Sequence, residues 1–391
     1  MESSLMFLKD LALLLLFANI GGYISGKLNQ PEVLGQIVFG LILGPSVFNF
    51  IHGTEFISHI AEMGVILLMF IAGLETDLED LKSSSKSSTS IAIGGVIGPL
   101  VLGIGAVLLM KGQASLNEAI FVGVILTATS VSITVESLRE LGKLRTRQGI
   151  GVLGAAIIDD VVGIILLTVV IGMVDPTQSS NLAIVLGKIA TFFIISLIIG
   201  ILFSKTLTKF SDKISRDNKL LTLALIFCFA LAFIAEELGV AAIIGAYFTG
   251  VIFSSTPHRN RVSHETQRVA YALFTPIFFM NIGLSVNIEN IGGSILLSVV
   301  IITAAVLGKL IGCFLGAKGS KFNNLESLQI SIGMIPRAEV ALIVTNLGLN
   351  IGVIGQDIFT SIILLVLVST ILTPILLKKS YSYSSNQILE S

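Results

Sequence analysis

Long apolar stretches alternate with short charged or turn-rich breaks along the whole chain. Reading each stretch of about 17–25 mostly apolar residues as a membrane-spanning helix predicts about thirteen spans. They cover residues 6–26, 32–50, 58–77, 89–110, 117–138, 149–174, 181–204, 219–236, 239–255, 268–286, 293–316, 325–348 and 353–377. The pattern therefore predicts an all-α polytopic membrane protein.

Composition supports this reading. Of the 391 residues, 53% are apolar and only 13% are charged, and the mean hydropathy is +0.94. A soluble domain carries roughly 25% charged residues. Cys228 and Cys313 both lie in apolar stretches, which indicates neither a disulfide framework nor a cysteine metal site. We expect membrane lipids as surroundings, no nucleic-acid partner and no cofactor.

Charge in the breaks predicts the orientation. Lysine and arginine fall mainly after odd-numbered spans, whereas the breaks after even-numbered spans clearly hold only Lys111. By the positive-inside rule, the N-terminus lies outside and the C-terminus lies in the cytoplasm. We expect a multi-pass protein of the cell (inner or plasma) membrane.

Glycine spacing indicates an internal repeat. A shift of 210 residues places six glycines of the first half on glycines of the second, where chance gives roughly two. The six are Gly35, Gly40, Gly73, Gly98, Gly123 and Gly142. Spans 1–6 then correspond to spans 8–13, with span 7 as the connector. Because corresponding spans are seven spans apart, an odd number, the second copy enters the membrane with the opposite orientation. The alternative is that glycine-rich membrane helices merely resemble one another.

Two adjacent carboxylates, Asp159 and Asp160, lie deep in span 6. At 1.5 Å per helical residue they lie about 15 Å from its start, near the middle of the hydrocarbon core. A charge there is costly, so it needs a partner and usually has a function. One interpretation is a structural buried ion pair. The other is a site where protons and cations compete for carboxylate oxygens.

Lys309, in span 11, is the obvious partner for one carboxylate. A buried ammonium without a partner would lose its proton. Neighbouring residues on a helix point about 100° apart, so one aspartate can face the lysine while the other faces water. We assign Asp159 to Lys309 and Asp160 to the cation, an order that spacing alone leaves open.

Spans 5 and 12 carry the other candidate residues. Hydroxyl side chains, including Thr129 and Ser130, crowd span 5 and indicate either ligands for a hard cation such as Na⁺ or contacts between helices. In span 12, Pro336 removes a backbone donor and predicts a broken helix. We interpret Arg337 and Glu339 as members of a mutual or interhelical salt bridge that fixes the broken segment, rather than as ion ligands.

One further site residue and two other classes of protein have less support from the sequence. Glu75, at the cytoplasmic end of span 3, is either an interfacial charge or part of an ion-access funnel. An intramembrane aspartyl protease is excluded, because it needs one acid on each of two helices. A cation channel shares the composition but has no need of a deep Asp-Asp/Lys set.

An ordered set of segments resembles a known family. The segments are Leu28–Pro45, Gly64–Glu75, Ala128–Thr134, Asp159-Asp160, Gly308-Lys309 and Pro336–Glu339. Together they resemble the monovalent cation:proton antiporters of the second cation–proton antiporter family (CPA2), NapA type. The resemblance implies two inverted six-helix repeats, a homodimer and crossing broken helices in spans 5 and 12. It also implies an Asp159–Lys309 salt bridge and a cation on Asp160.

The resemblance also implies a division into domains, with a core that moves against a dimerisation domain. We expect dimerisation segments at 1–86 and 213–290, core segments at 87–176 and 291–379, a linker helix at 177–212 and a cytoplasmic tail at 380–391.

The predicted function is Na⁺(Li⁺)/H⁺ exchange by elevator-type alternating access. The Asp-Asp pair resembles electrogenic sodium exchangers, with Asp160 carrying the cation or proton and Asp159–Lys309 forming a proton-linked salt bridge. A K⁺(or NH₄⁺)/H⁺ antiporter of the same family is the alternative. In either case the ions are transported substrates.

Overall fold

The computed structural model describes residues 6–51, 53–112, 114–174, 182–214, 219–286 and 295–390, and within these ranges all regular structure is helical. The helices are α1 Met6–Lys27, α2 Glu32–Leu43, α3 Glu55–Glu75, α4 Leu78–Met110, α5 Leu116–Thr127, α6 Val131–Glu140, α7 Arg147–Val174, α8 Leu182–Ile214, α9 Lys219–Glu237, α10 Ala242–Ser254, α11 Arg259–Val269, α12 Thr275–Leu284, α13 Ile295–Gly319, α14 Asn324–Gly333, α15 Glu339–Asn350 and α16 Gln356–Glu390. The prediction of an all-α membrane protein is confirmed.

Nine helical segments in the described ranges are long and apolar enough to cross a membrane, and three shorter apolar helices accompany them. The shorter ones are Glu32–Leu43, Ala242–Ser254 and Val340–Asn350. The predicted number of thirteen spans therefore stays a prediction. Two of its spans are interrupted: span 5 becomes α5 and α6, and span 12 becomes α14 and α15.

Helix α4 begins at Leu78, eleven residues before the predicted start at 89. The extra turns contain a serine-rich stretch that reads as a loop in sequence. Its hydroxyls donate to the preceding helical turn instead, as from Ser83 to the Asp80 carbonyl (2.9 Å) and from Ser87 to the Ser84 carbonyl (2.7 Å). Such local bonds let serines continue a helix that their propensity alone does not favour.

Contacts divide the chain into two compact units. The first unit comprises Met1–Gly53, Ser84–Ser179 and Phe279–Ser391, and the second comprises Thr54–Ser83 and Ser180–Phe278. All the deep candidate residues of spans 5, 6, 11 and 12 belong to the first unit. The predicted division into a dimerisation domain and a moving core stays a prediction.

Glycines allow helices to approach closely inside each unit. In the first unit, a Cβ atom on Gly40 would lie 2.1 Å from the Met280 carbonyl oxygen, and one on Gly283 would lie 2.3 Å from the Ile37 carbonyl oxygen. In the second unit, a Cβ atom on Gly73 would lie 2.1 Å from the Tyr247 carbonyl oxygen. Small residues at such points bring helix backbones into direct contact in membranes.

Glu140, the last residue of α6, caps the start of α2. Its two carboxylate oxygens accept from the backbone N–H groups of Glu32 (2.6 Å) and Val33 (3.0 Å). Pro31 precedes this helix and offers no side-chain cap of its own. A carboxylate from a distant helix therefore satisfies the unpaired N–H groups at the positive end of α2.

We expect Glu140→Ala to lower the stability of the protein by about 1–2 kcal/mol, since it removes both the cap and the charge at the helix terminus. The melting temperature of the purified protein in detergent measures the effect. Glu62→Ala is the control, because the Glu62 side chain is 64% exposed and its ion pair with His59, which is 73% exposed, lies at the surface. Equal melting temperatures for the two variants would contradict the capping role.

Candidate functional site

The two broken helices touch at their breaks. Residues 128–130 separate α5 from α6, and residues 334–338 separate α14 from α15. The backbone N–H of Ser130 donates to the carbonyl of Pro336 at 2.7 Å, and the Thr134 hydroxyl donates to the Gly333 carbonyl at 2.5 Å. Four helix ends therefore meet inside the first unit, each with backbone groups that its own helix does not satisfy.

Arg337 fills the space between these ends and is fully buried (0% exposed). Its Nη2 donates to the Leu126 carbonyl at 2.6 Å and to the Ala305 carbonyl at 3.4 Å. Its Nη1 donates to the carbonyls of Ile335 and Met334. The guanidinium thus satisfies carbonyls at the C-terminal ends of α5 and α14, where the helix dipoles favour a positive charge.

Helix α16 holds the backbone on either side of that guanidinium. The Arg337 N–H donates to Ser369 Oγ at 3.1 Å, and the Thr370 hydroxyl donates to the Arg337 carbonyl at 3.0 Å. Neither Ser369 nor Thr370 is among the site residues predicted from the sequence. The available signal was a pair of adjacent hydroxyl residues within the apolar stretch 362–372 of that helix, which is typical of bonds between membrane helices.

The pairing of Arg337 with Glu339 stays a prediction. Glu339 is the first residue of α15, but its side chain lies outside the described residues. The bonds that the structure does show for the arginine head are to backbone carbonyls.

Asp159 and Lys309 form an ion pair in the interior of the first unit. The Lys309 ammonium donates to both carboxylate oxygens of Asp159, at 3.1 Å to Oδ1 and 3.0 Å to Oδ2. Their residue exposures are 3% and 0%. The Thr129 hydroxyl, from the break between α5 and α6, donates to Asp159 Oδ2 at 2.7 Å. Helix α7, helix α13 and the break between α5 and α6 therefore meet at Asp159.

Asp160 follows on the same helix and is half-buried. The roughly 100° turn between neighbouring helical residues gives the two carboxylates different surroundings. Asp159 is occupied by a lysine and a threonine, and Asp160 keeps part of its surface accessible. Ser130, next to Thr129, has its hydroxyl 3.2 Å from Ser132 Oγ.

Glu75 belongs to the second unit, where it ends α3. Its side chain accepts from Gln267 Nε2 at 3.1 Å, and its backbone carbonyl accepts from Arg259 Nη2 at 2.9 Å. These contacts suit an interfacial charge at a helix end. Its possible part in an ion-access funnel stays a prediction.

The described residues contain no group of three or more His, Cys, Asp or Glu side chains arranged to hold a metal ion. The oxygens gathered in the first unit are instead those of two aspartates, of hydroxyl groups and of carbonyls at helix breaks. Such oxygens suit a hard monovalent cation that binds and leaves again.

A buried carboxylate–ammonium pair beside two touching broken helices defines a membrane transporter that handles ions and protons. The family model described as "Sodium/hydrogen exchanger, transmembrane" matches residues 12–379, and the chain belongs to that family. It is therefore a cation/proton antiporter of a membrane, not an enzyme, and its ions are substrates rather than cofactors.

Two relatives support this family assignment, and a solved structure has a similar fold. The chain is 40% identical over 375 residues to the Na⁺/H⁺-K⁺ antiporter GerN of Bacillus cereus, covering 96% of each chain. It is 34% identical over 378 residues to a Na⁺/H⁺ antiporter of Enterococcus hirae, covering 95% of this chain and 97% of that one. The sodium proton antiporter MjNhaP1 of Methanocaldococcus jannaschii has a similar fold, with a TM-score of 0.71 at 18% identity over 95% of this chain and 96% of that one. The predicted family is confirmed.

Proposed function

We propose that the protein exchanges cytoplasmic Na⁺ or Li⁺ for external protons, with Asp160 as the group that carries the cation or the proton. The observation that carries this proposal is the unequal environment of the two aspartates. Lys309 and Thr129 engage Asp159 at 2.7–3.1 Å, whereas Asp160 is half-buried. Asp160 therefore keeps accessible surface through which a cation reaches its carboxylate.

Competition at one carboxylate couples the two fluxes. A proton on Asp160 removes the charge that holds the cation, and a cation on Asp160 keeps the proton away. Alternating access then exposes the same site to each side of the membrane in turn, in an elevator-type movement. An inward proton gradient would drive sodium out of the cell.

The Asp159–Lys309 pair makes the exchange electrogenic in this proposal. When Asp159 turns towards the cation, Lys309 loses its partner inside a low-dielectric interior and releases its proton. Two protons are then exchanged for one sodium ion. The membrane potential contributes about 2.3 kcal/mol per charge for each 100 mV, so it would accelerate the exchange.

A K⁺(or NH₄⁺)/H⁺ antiporter is the second candidate. The observation that favours it is the 40% identity with a relative whose name includes K⁺ as well as Na⁺. Both candidates use the same carboxylates, because the chemistry of the site requires a monovalent cation and not one particular ion.

The architecture proposed with this function is an inverted repeat in a homodimer, with the N-terminus outside and the C-terminus in the cytoplasm. The glycine contacts support the repeat. The 210-residue shift maps Gly40 onto Gly250 and Gly73 onto Gly283. A Cβ atom on Gly283 would lie 2.7 Å from the Gly40 carbonyl carbon, and one on Gly250 would lie 2.8 Å from the Gly73 Cα. Each contact is thus the image of the other.

Proton flux in liposomes, followed with a pH-sensitive dye while Na⁺, Li⁺ and K⁺ are titrated at fixed pH, tests the proposal. We expect a signal with Na⁺ and Li⁺ that grows when a membrane potential is imposed. A signal with K⁺ alone would favour the second candidate. Folded protein that gives no proton-coupled signal with any of these cations would contradict both Na⁺(Li⁺)/H⁺ exchange and K⁺/H⁺ exchange.

A further inference from the structure

Helix α16 carries a buried pair of hydroxyl residues at the position that the proposed repeat assigns to the two aspartates. The 210-residue shift maps Asp159 onto Ser369 and Asp160 onto Thr370. Both hydroxyl residues are fully buried (0% exposed). Helices at corresponding places of the two halves thus carry adjacent polar residues, which are carboxylates on α7 and hydroxyls on α16.

Each of these two helices is bonded to the break of its own half. On α7, Asp159 accepts from the Thr129 hydroxyl at 2.7 Å, in the break between α5 and α6. On α16, Ser369 Oγ accepts from the Arg337 N–H at 3.1 Å, and the Thr370 hydroxyl donates to the carbonyl of the same arginine at 3.0 Å. A cation can replace a partner of the carboxylate on α7, whereas the bonds on α16 join neutral groups. We therefore expect α16 to stay fixed to its break while α7 exchanges partners.

The break that α16 holds is bonded in turn to the break between α5 and α6. The Pro336 carbonyl accepts from the Ser130 N–H at 2.7 Å, and the Arg337 guanidinium donates to the Leu126 carbonyl at 2.6 Å. Leu126 and Ser130 lie on either side of Thr129 in the chain, and the Thr129 hydroxyl donates to the carboxylate on α7. A continuous set of contacts therefore leads from the hydroxyls of α16 to the carboxylate site.

We propose that Ser369 and Thr370 are positioning residues for the cation site, and that they hold the two breaks in the arrangement that gathers oxygens around the cation. The inference rests on the proposed function and takes the hydroxyls of Thr129 and Ser130 as ligands of the cation beside Asp160. A break that is already ordered loses little further freedom when the cation binds, so the affinity for the cation stays high. Without the bonds from α16, part of the binding free energy goes into ordering the breaks.

A matched pair of substitutions on α16 isolates the effect of these bonds. Thr370→Val and Thr373→Val each replace the hydroxyl of a fully buried threonine with a methyl group. The Thr373 hydroxyl donates to the Ser369 carbonyl at 2.8 Å, so the bond that this control loses lies within α16. Thr370→Ser is the rescue variant, because it keeps the hydroxyl and loses only the methyl group.

Hydrogen–deuterium exchange of the purified protein tests the positioning without any transport. We expect Thr370→Val to raise the exchange rates of the amides at 126–131 and 334–338 about three- to tenfold, the factor that the loss of one hydrogen bond gives. Thr373→Val and Thr370→Ser should leave both segments close to those of the unmodified protein. Unchanged exchange at 126–131 in folded Thr370→Val would overturn the proposal, because α16 would then not position the break beside the aspartates.

Na⁺-driven proton flux in liposomes tests the effect on the site. We expect Thr370→Val to raise the half-saturating Na⁺ concentration about three- to tenfold while the maximal rate changes by less than about twofold. Thr370→Ser should restore the half-saturating concentration of the unmodified protein, and Thr373→Val should keep it. If that concentration is unchanged in folded Thr370→Val, the hydroxyl acts through packing alone and the proposal fails, whatever the melting temperature.

Two further comparisons decide the remaining outcomes. If Thr370→Val does not fold, Ser369→Ala removes the acceptor of the Arg337 N–H instead, and it should raise both the exchange at 126–131 and the half-saturating Na⁺ concentration. A folded Ser369→Ala that leaves either of them unchanged overturns the proposal. If the unmodified protein transports no cation, the proposed function fails, and the exchange rates at 126–131 still decide the positioning: a difference between Thr370→Val and Thr373→Val supports it, and equal rates refute it.

Discussion

Asp160→Asn is expected to reduce Na⁺- and Li⁺-driven proton flux to the level of protein-free liposomes. An asparagine keeps the size of the side chain but carries no charge and no proton that titrates, so it neither attracts the cation nor exchanges a proton for it. The flux assay described for the proposed function measures the loss. Because Asp160 is half-buried, the same substitution should leave the melting temperature close to that of the unmodified protein.

The neighbouring carboxylate provides the sharpest comparison. Asp159→Asn leaves the fully buried Lys309 ammonium without its charged partner, and breaking a buried pair in this way costs about 3–5 kcal/mol. We therefore expect Asp159→Asn to lower the melting temperature strongly, whereas Asp160→Asn removes transport with little loss of stability.

A third aspartate controls for the mere loss of a carboxylate in the same unit. Asp357 is 34% exposed and lies 3.0 Å from Lys111, which also pairs with Glu118 at 2.7 Å, so the loss of this one partly exposed partner should cost little stability. Asp357→Asn should keep its transport. Retained exchange in Asp160→Asn would mean that another group carries the cation, and the assignment of Asp160 would be wrong.

The sequence predicts the helical class and the position of one helix break well, because both depend on local rules. Apolar stretches long enough for a bilayer predict the helices, and Pro336 predicts the interruption between α14 and α15 because it lacks a backbone donor. The start of α4 is mispredicted for a local reason as well. Serine occurs both in loops and in helices, and here its hydroxyl donates to a carbonyl of the preceding helical turn, so that the segment is helical.

The contacts of the site depend on residues that are far apart in sequence. Spacing leaves open which aspartate meets Lys309, because the answer depends on how α7 and α13 are rotated against each other. Gly95 gives no sign that it lies beside that lysine, 214 residues further along the chain, although a Cβ atom at residue 95 would lie 3.4 Å from Lys309 Nζ where α4 and α13 cross. A resemblance to a family carries such information, since it stands for a whole fold rather than for a local pattern.

The hydrogen-bond partners of Arg337 are likewise hard to predict from the sequence, because some of them lie far away along the chain. A buried arginine two residues before a glutamate suggests a salt bridge, which is the interaction that sequence proximity can reveal. The bonds that the structure describes for the guanidinium go to the carbonyls of Leu126, Ala305, Met334 and Ile335, and proximity in sequence gives no sign of the first two. The carbonyls of Leu126, Met334 and Ile335 are available as acceptors because two helices end at the same place.

Arg337→Ala is therefore expected to cause the largest loss of stability among the variants discussed. The substitution leaves several buried carbonyls without donors, at about 1–3 kcal/mol each, and it opens a cavity where the side chain lay. A total of more than about 5 kcal/mol approaches the whole stability of many proteins. We expect little folded protein in the membrane fraction, or a sharply lower melting temperature in detergent.

Arg337→Lys and Arg147→Ala identify the cause of that loss. A lysine restores the charge but not the planar fork of donors, so it reaches fewer carbonyls and should recover only part of the stability. Arg147 is 57% exposed and lies 3.8 Å from Glu326, so its removal should change the melting temperature little. If Arg337→Lys were as stable as the unmodified protein, charge alone would hold the broken helices together. If Arg337→Ala were equally stable, the guanidinium would not be what stabilises the crossing, and the ends of α5 and α14 would have to satisfy their carbonyls in another way.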